Sequence, residues 1–143
     1  MGSSVATSAL RAGHTVSVLD EDPLSHERLD VELGQSWEEA GGRFTIGTAL
    51  EMDALIEAGI AEADVFIAST NGDNTNLVVS QLARLRFEVP KVIARILDPR
   101  RAAWYAEQGL HTVCPTAIAI DQLEKAALGA EDAAVARAGE EGA

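Results

Sequence analysis

Apolar residues in this chain fall in short blocks that alternate between two spacings. Continuous apolar runs such as Val65-Phe66-Ile67-Ala68 end abruptly in polar turns, and stretches with apolar residues every three or four positions follow them. The first spacing predicts buried strands and the second amphipathic helices. Residues 2–12 predict a helix, with Val5, Ala9 and Leu10 at core spacing and Gly13 just past its end as a C-cap. Residues 15–19 predict a strand. Asp22-Pro23 pairs an N-cap with a proline at the first helical position, opening a helix to about Leu33. Arg43–Ile46 predicts a short strand, and Thr48 and Glu51 have the spacing of a capping box for a helix through Ala58. After the strand Val65–Ala68, a helix is expected over residues 74–86, with Leu77, Val78, Leu82 and Leu85 on one face. Pro90 interrupts the chain. A strand over residues 91–96 follows, then Asp98-Pro99 as a second cap-and-proline signal for a helix to Gln108, stopped by Gly109. Residues 112–114 predict a last strand, and Thr116 a cap for a helix to about Leu128.

Strands alternating with helices imply a parallel sheet covered on both faces. The expected class is α/β, a Rossmann-like doubly wound sheet. The expected organisation is one domain over residues 1–128, then an acidic flexible tail over residues 129–143 that is rich in Ala, Gly and Glu and expected to fray. One element is missing from that scheme: the pattern begins with a helix, and no first strand precedes it.

Composition narrows the chemistry. Only 4% of residues are aromatic, so the core must be built from Ala, Val, Leu and Ile. A formal net charge of −12, with no basic run longer than Arg100-Arg101, argues against nucleic acid and anionic lipid as partners. No apolar stretch approaches the roughly 18 residues of a membrane span, and no signal-peptide pattern is visible. A single cysteine, Cys114, can form no internal disulfide, which favours a cytoplasmic setting. His14, His26 and His111 occur at no His-x-x-x-His spacing, so no zinc site is expected.

The most informative stretch is the strand Val65–Ala68 with the turn Ser69-Thr-Asn-Gly-Asp-Asn-Thr-Asn76 behind it. In open α/β sheets ligands bind at the carboxyl ends of strands. A turn offering hydroxyls, amides and helix N-terminal N–H groups suits a ribose or a phosphate. At the other end of the sequence, Gly2 opens a helix and Asp20 closes a strand 18 residues later. That spacing fits the last glycine and the ribose-binding acid of a dinucleotide fingerprint. It fits equally a plain helix start and a solvated acidic turn, Asp20-Glu21-Asp22.

Several segments, in order, resemble the nucleotide-binding regulatory domain of potassium transport systems, the Trk-type RCK/KTN family. They are Gly2-Ser-Ser-Val-Ala, Ala12-Gly-His-Thr-Val-Ser-Val-Leu-Asp20, Gly47-Thr-Ala49, Ala58-Gly-Ile-Ala-Glu-Ala-Asp64, Ile67-Ala-Ser-Thr-Asn-Gly-Asp-Asn-Thr-Asn76, Val92-Ile-Ala-Arg-Ile-Leu-Asp-Pro99 and Gly109 to Pro115. The resemblance implies a first strand ending in Gly-x-Gly-Arg-Val-Gly, of which this chain would retain only the last glycine, Gly2. Either the reading frame extends upstream of Met1 or the chain is a genuine fragment. In the order 3-2-1-4-5-6 that strand is central, so its absence is expected to leave strand edges unpaired. The family's usual C-terminal ligand-sensing subdomain is also absent.

The resemblance implies a nucleotide site built from Gly2, Asp20, Thr48, Thr70, Asn71 and Arg95. Asp20 would accept both ribose hydroxyls, and its acidic neighbours Glu21 and Asp22 would repel a 2′-phosphate. This favours NAD(H), or ADP/ATP, over NADP. Thr48 serves the adenine end or caps a helix. Thr70, Asn71, Asp73 and Asn76 form a polar cluster denser than capping needs, with Asp73 better suited to the helix N-terminus. Arg95, in an apolar strand, requires an anionic partner, either a phosphate or Asp98 or Asp73. Thr116 stands where some relatives carry a carboxylate for a cation, so no metal is expected there. Cys114 reads as buried filler. Trp104 and Tyr105 suit a dimer interface or internal packing. The expected function is a non-catalytic regulatory subunit, a homodimer or higher oligomer on the cytoplasmic face, controlling a membrane potassium transporter. The alternatives are a cofactor fragment of an NAD-dependent oxidoreductase and a truncated product that binds nothing.

Overall fold

The computed structural model describes residues 1–129; the expected fraying of the tail beyond them lies outside that range. The chain divides into two compact units, Met1–Ala94 and the residues from Arg95 on.

The first unit runs α1 (Gly2–Arg11), β1 (Ser17–Asp20), α2 (Leu24–Leu33), β2 (Arg43–Ile46), α3 (Met52–Ala58), a single 3-10 turn (Ile60–Glu62), β3 (Val65–Ala68), α4 (Asp73–Gln81) and β4 (Lys91–Arg95), which ends at the unit boundary. β1 pairs with β2 in parallel, Ser17 opposite Arg43 and Asp20 opposite Ile46. β3 pairs with β4 in parallel, Val65 opposite Lys91 and Ala68 opposite Ala94. These pairs belong to two separate sheets. Among the described residues, one edge of β1 and one edge of β3 carry no strand.

Local chemistry explains where the elements start and stop. Gly13, Gly34 and Gly59 all take positive φ just past helices, where other residues would be strained. The Leu24 N–H donates to the Asp22 carboxylate at 3.0 Å, but Pro23, not Asp22, holds the N-cap position of α2, one residue later than expected. Thr48 does not open α3. Its hydroxyl accepts the N–H of Leu50 in a local turn, and the helix begins four residues later at Met52 with Glu51 as N-cap.

One core cluster joins α1, α2 and the following loop: Ala6, Leu29 and Trp37, with Leu10, Val16, Val18, Leu33 and Phe44 against it. Trp37 is fully buried, and its indole N–H donates to the Arg43 carbonyl at 2.9 Å. Arg11 ties α1 to α2 by donating to the Glu32 carbonyl at 3.0 Å. The Ser4 and Ser3 hydroxyls hydrogen-bond the Glu32 carboxylate and hold its pKa below the usual glutamate value.

α4 departs from expectation. It passes into a π-helical turn at Leu82–Arg86. The buried face is Asn76, Leu77, Val79, Ser80 and Ala83, while Val78 and Leu85 are exposed. Of the face expected through Leu77, Val78, Leu82 and Leu85, Leu77 is buried and Leu82 partly buried, while Val78 and Leu85 turn to solvent. Polar Asn76 and Ser80 point inward, and the wider π turn rotates Leu85 to solvent.

In the second unit Ile96 donates its N–H to the Val113 carbonyl at 3.0 Å, which lays β5 (His111–Val113) beside the chain that follows β4. α5 (Pro99–Glu107) is capped by Asp98, whose carboxylate accepts the N–H groups of Arg100 and Arg101. The cap of α6 (Pro115–Leu128) is Cys114, not Thr116: its sulfur accepts the Ala117 N–H at 3.4 Å. Cys114 is partly exposed, so it is a cap and not buried filler. Pro115 fixes the first helical position and places the cap one residue before it.

Candidate functional site

The candidate residues of the first unit lie at strand ends or at a helix start. Asp20 is the last residue of β1, and the Gly47 N–H donates to its carbonyl at 3.0 Å. The β1–β2 register thus sets Asp20 and the Gly47-Thr48 turn side by side. A side chain at Gly47 would press on the Ala54 methyl at 2.9 Å, so glycine lets this turn approach α3 closely.

The Asp20 carboxylate is half-buried and already oriented. One oxygen accepts the Asp22 N–H at 2.9 Å and the other the Ser25 hydroxyl at 2.7 Å. A carboxylate has about four acceptor positions, so each oxygen keeps capacity for a ligand hydroxyl. Asp22, invoked against a 2′-phosphate, lies 3.5 Å from the Arg28 guanidinium, which offsets part of its charge.

A second grouping forms where α1 begins. A Cβ at Gly2 would lie 2.9 Å from the Ser69 hydroxyl, so the helix start and the turn after β3 are in contact. No side chain caps the N-terminus of α1. Its first N–H groups, with their share of the helix dipole, are what an anion requires.

Within the turn after β3 the roles divide. Thr70 donates its backbone N–H and its hydroxyl to the Asn76 amide oxygen, at 2.9 and 2.7 Å. The Asn76 amide donates back to the Thr70 carbonyl at 3.1 Å. Asn76 is fully buried. This clamp accounts for much of the polar density noted in the sequence: Asn76 shapes the turn, and Thr70 is largely engaged by it. Asn71 is exposed at the tip. Asp73 begins α4, as expected of an acid at a helix N-terminus. Arg95 closes β4 and is partly buried.

The structure therefore brings Asp20 together with Gly47-Thr48, and Gly2 together with Ser69 beside Thr70. Sequence reasoning missed a different cluster. His26, Asp30 and Glu38 place donor atoms within 4.8 Å of one another. His26 and Asp30 are one helical turn apart on α2, a signal present in the sequence. Glu38 arrives from a loop, and no spacing rule reveals it.

The TrkA-N domain model matches residues 1–114. Among curated proteins, the Trk system potassium uptake protein TrkA of Streptomyces coelicolor is 43% identical over 123 residues, covering 86% of this chain and 52% of that protein. The TrkA of Mycobacterium tuberculosis is 32% identical over 100 residues, 70% of this chain and 42% of its own length. The chain thus spans about half the length of these relatives. Among solved structures, the Kef CTD of Shewanella denitrificans in AMP-bound form superimposes with a TM-score of 0.70 at 24% identity, covering 97% of this chain and 82% of that one. The TrkA-N domain of the inner membrane protein ybaL of Escherichia coli gives 0.66 at 23% identity, covering 87% of each chain. Parallel strands alternating with helices, a carboxylate closing β1 and a family match over residues 1–114 converge on one assignment: this chain belongs to the TrkA-N (RCK N-terminal) domain family.

Proposed function

We propose that this domain binds NAD(H) or an adenine nucleotide and acts, without catalysing a reaction, as a regulatory element of a potassium transport system. The observation that carries the reading is the pre-oriented Asp20 carboxylate at the end of β1, with the Gly47-Thr48 turn beside it. Asp20 would take the ribose hydroxyls and Thr48 the adenine side. The uncapped start of α1 at Gly2, against the turn bearing Thr70 and Asn71, would face the phosphates. AMP in the related Kef structure and the naming of the relatives as potassium uptake proteins support this choice.

The full regulator would be an oligomer docked on the cytoplasmic face of a membrane transporter. Among the described residues no helix is long and apolar enough to cross a membrane. Regulation would then follow from differential nucleotide affinity for two transporter states.

A thermal-shift titration with NAD, NADH, AMP, ADP and ATP tests the binding. A ligand at 100 times its dissociation constant adds roughly 2.7 kcal/mol of stability, a shift of several degrees. No shift with any of the five contradicts the reading for this chain.

A further inference from the structure

We infer that His26, Asp30 and Glu38 form a binding site for a zinc-type divalent cation, distinct from the nucleotide site. The three donors lie within 4.8 Å of one another. His26 Nε2 is 2.6 Å from a Glu38 oxygen, and His26 Nδ1 is 3.8 Å from an Asp30 oxygen. One imidazole nitrogen and two carboxylates are a donor set for zinc and its neighbours, whereas magnesium and calcium take oxygen alone. Zinc–ligand bonds of about 2.0–2.2 Å imply donor separations of about 3.3 Å in a tetrahedron. The two contacts use opposite nitrogens of the His26 ring, so an ion bound to one of them needs the carboxylates to converge from within 4.8 Å, and the exposed Glu38 side chain has room to adjust.

The surroundings hold two ligands in place. The second Asp30 oxygen accepts the backbone N–H of Trp37 at 2.7 Å. Trp37 is itself fully buried, so this carboxylate is aimed by a rigid neighbour, in the manner of outer-shell partners of metal ligands. The His26 ring packs edge-on against Phe44 with centroids 5.2 Å apart, which limits its rotation. Asp30 follows His26 by one turn of α2, so both face the same side. Glu38 follows Trp37 directly, so the buried indole also fixes where the third ligand begins. All three groups are partly exposed, leaving room for water as a fourth ligand and a path for the ion. A bound cation would cross-link α2 to the loop that carries Trp37. It would also replace the contact between Glu38 and His26 with a shared ligand.

The test uses the full chain, freed of metal, titrated with zinc by calorimetry and followed by thermal shift, with magnesium as control. Cobalt(II) in place of zinc gives a visible absorption band that reports the imidazole and carboxylate environment. We expect one zinc per chain, a rise in melting temperature with zinc and none with magnesium. His26→Ala and Glu38→Gln should each weaken zinc binding by at least the roughly tenfold that losing an outer-shell partner brings, and both should alter the cobalt band. A His111→Ala, Cys114→Ser double variant should bind as the parent does. Glu38 is exposed, so Glu38→Gln decides the matter if His26→Ala fails to fold. The inference is overturned by no zinc binding, by an equal response to magnesium, or by zinc affinity unchanged in Glu38→Gln. None of these outcomes bears on nucleotide binding, which is read with zinc absent.

Discussion

Asn76 and Asn71 lie five residues apart in one turn and do opposite work. Asn76 is buried and shares three hydrogen bonds with Thr70, whereas Asn71 is exposed at the tip. Asn76→Ala should cost about 1–3 kcal/mol in a urea melt, the usual cost of abandoning buried polar partners. Asn71→Ala should stay within about 0.5 kcal/mol of the parent and, on the proposed function, change nucleotide affinity instead. Equal stabilities would contradict the division. Gly42 is the other residue with no latitude. It is buried, and any Cβ there would fall inside the Trp37 indole ring. Gly42→Ala should destabilise by about 1–3 kcal/mol, as overpacking does, and the loss should appear in the near-ultraviolet signal of Trp37. Glu32 supplies a pH signature. Its pKa is lowered by the Ser4 and Ser3 hydroxyls, so the associated stabilisation is present above the unfolded-state pKa and lost as pH falls through the folded one. In an NMR titration Glu32 should titrate below the ordinary glutamate value, and Ser3→Ala with Ser4→Ala should return it towards that value.

The elements were legible where short-range signals act. Strand positions at Arg43–Ile46 and Val65–Ala68, the cap at Asp98 and the glycine stops all follow from local chemistry, and the structure keeps them. Failures came where a second interaction intervened. Thr48 makes a tighter local turn and leaves the start of α3 to Glu51. Pro115 moves the cap of α6 to Cys114. The π turn after α4 breaks the helical repeat from which its face had been drawn. Leu77 and Leu85 test the last point. Leu77→Ala should cost about 2–5 kcal/mol as a core truncation, while Leu85→Ala, on an exposed side chain, should stay within about 0.5 kcal/mol. A cost at Leu85 comparable to that at Leu77 would mean the regular helical face is the true one.

For the whole molecule, alternation of strand and helix was enough to give the class, and ordered short motifs were enough to give the family. The strands divide into β1–β2 and a second sheet starting at β3, a division that local periodicity does not reveal. The candidate site was legible in part: Asp20 and Gly47 meet because parallel register puts strand ends together. The triad of His26, Asp30 and Glu38 was not, because Glu38 is delivered by a loop around the buried Trp37. With a net charge of −12 the molecule does not gather anions by its overall field. On the proposed function, nucleotide recognition rests on local geometry, with Asp20 at its centre. The decisive measurement is calorimetric titration of ADP and of its 2′,3′-dideoxy analogue into the parent chain and Asp20→Ala. The account predicts that the substitution weakens ADP binding by about tenfold or more, equivalent to about 1.4 kcal/mol, and leaves the dideoxy analogue unaffected. ADP affinity unchanged by Asp20→Ala, or an equal loss for both ligands, would contradict it.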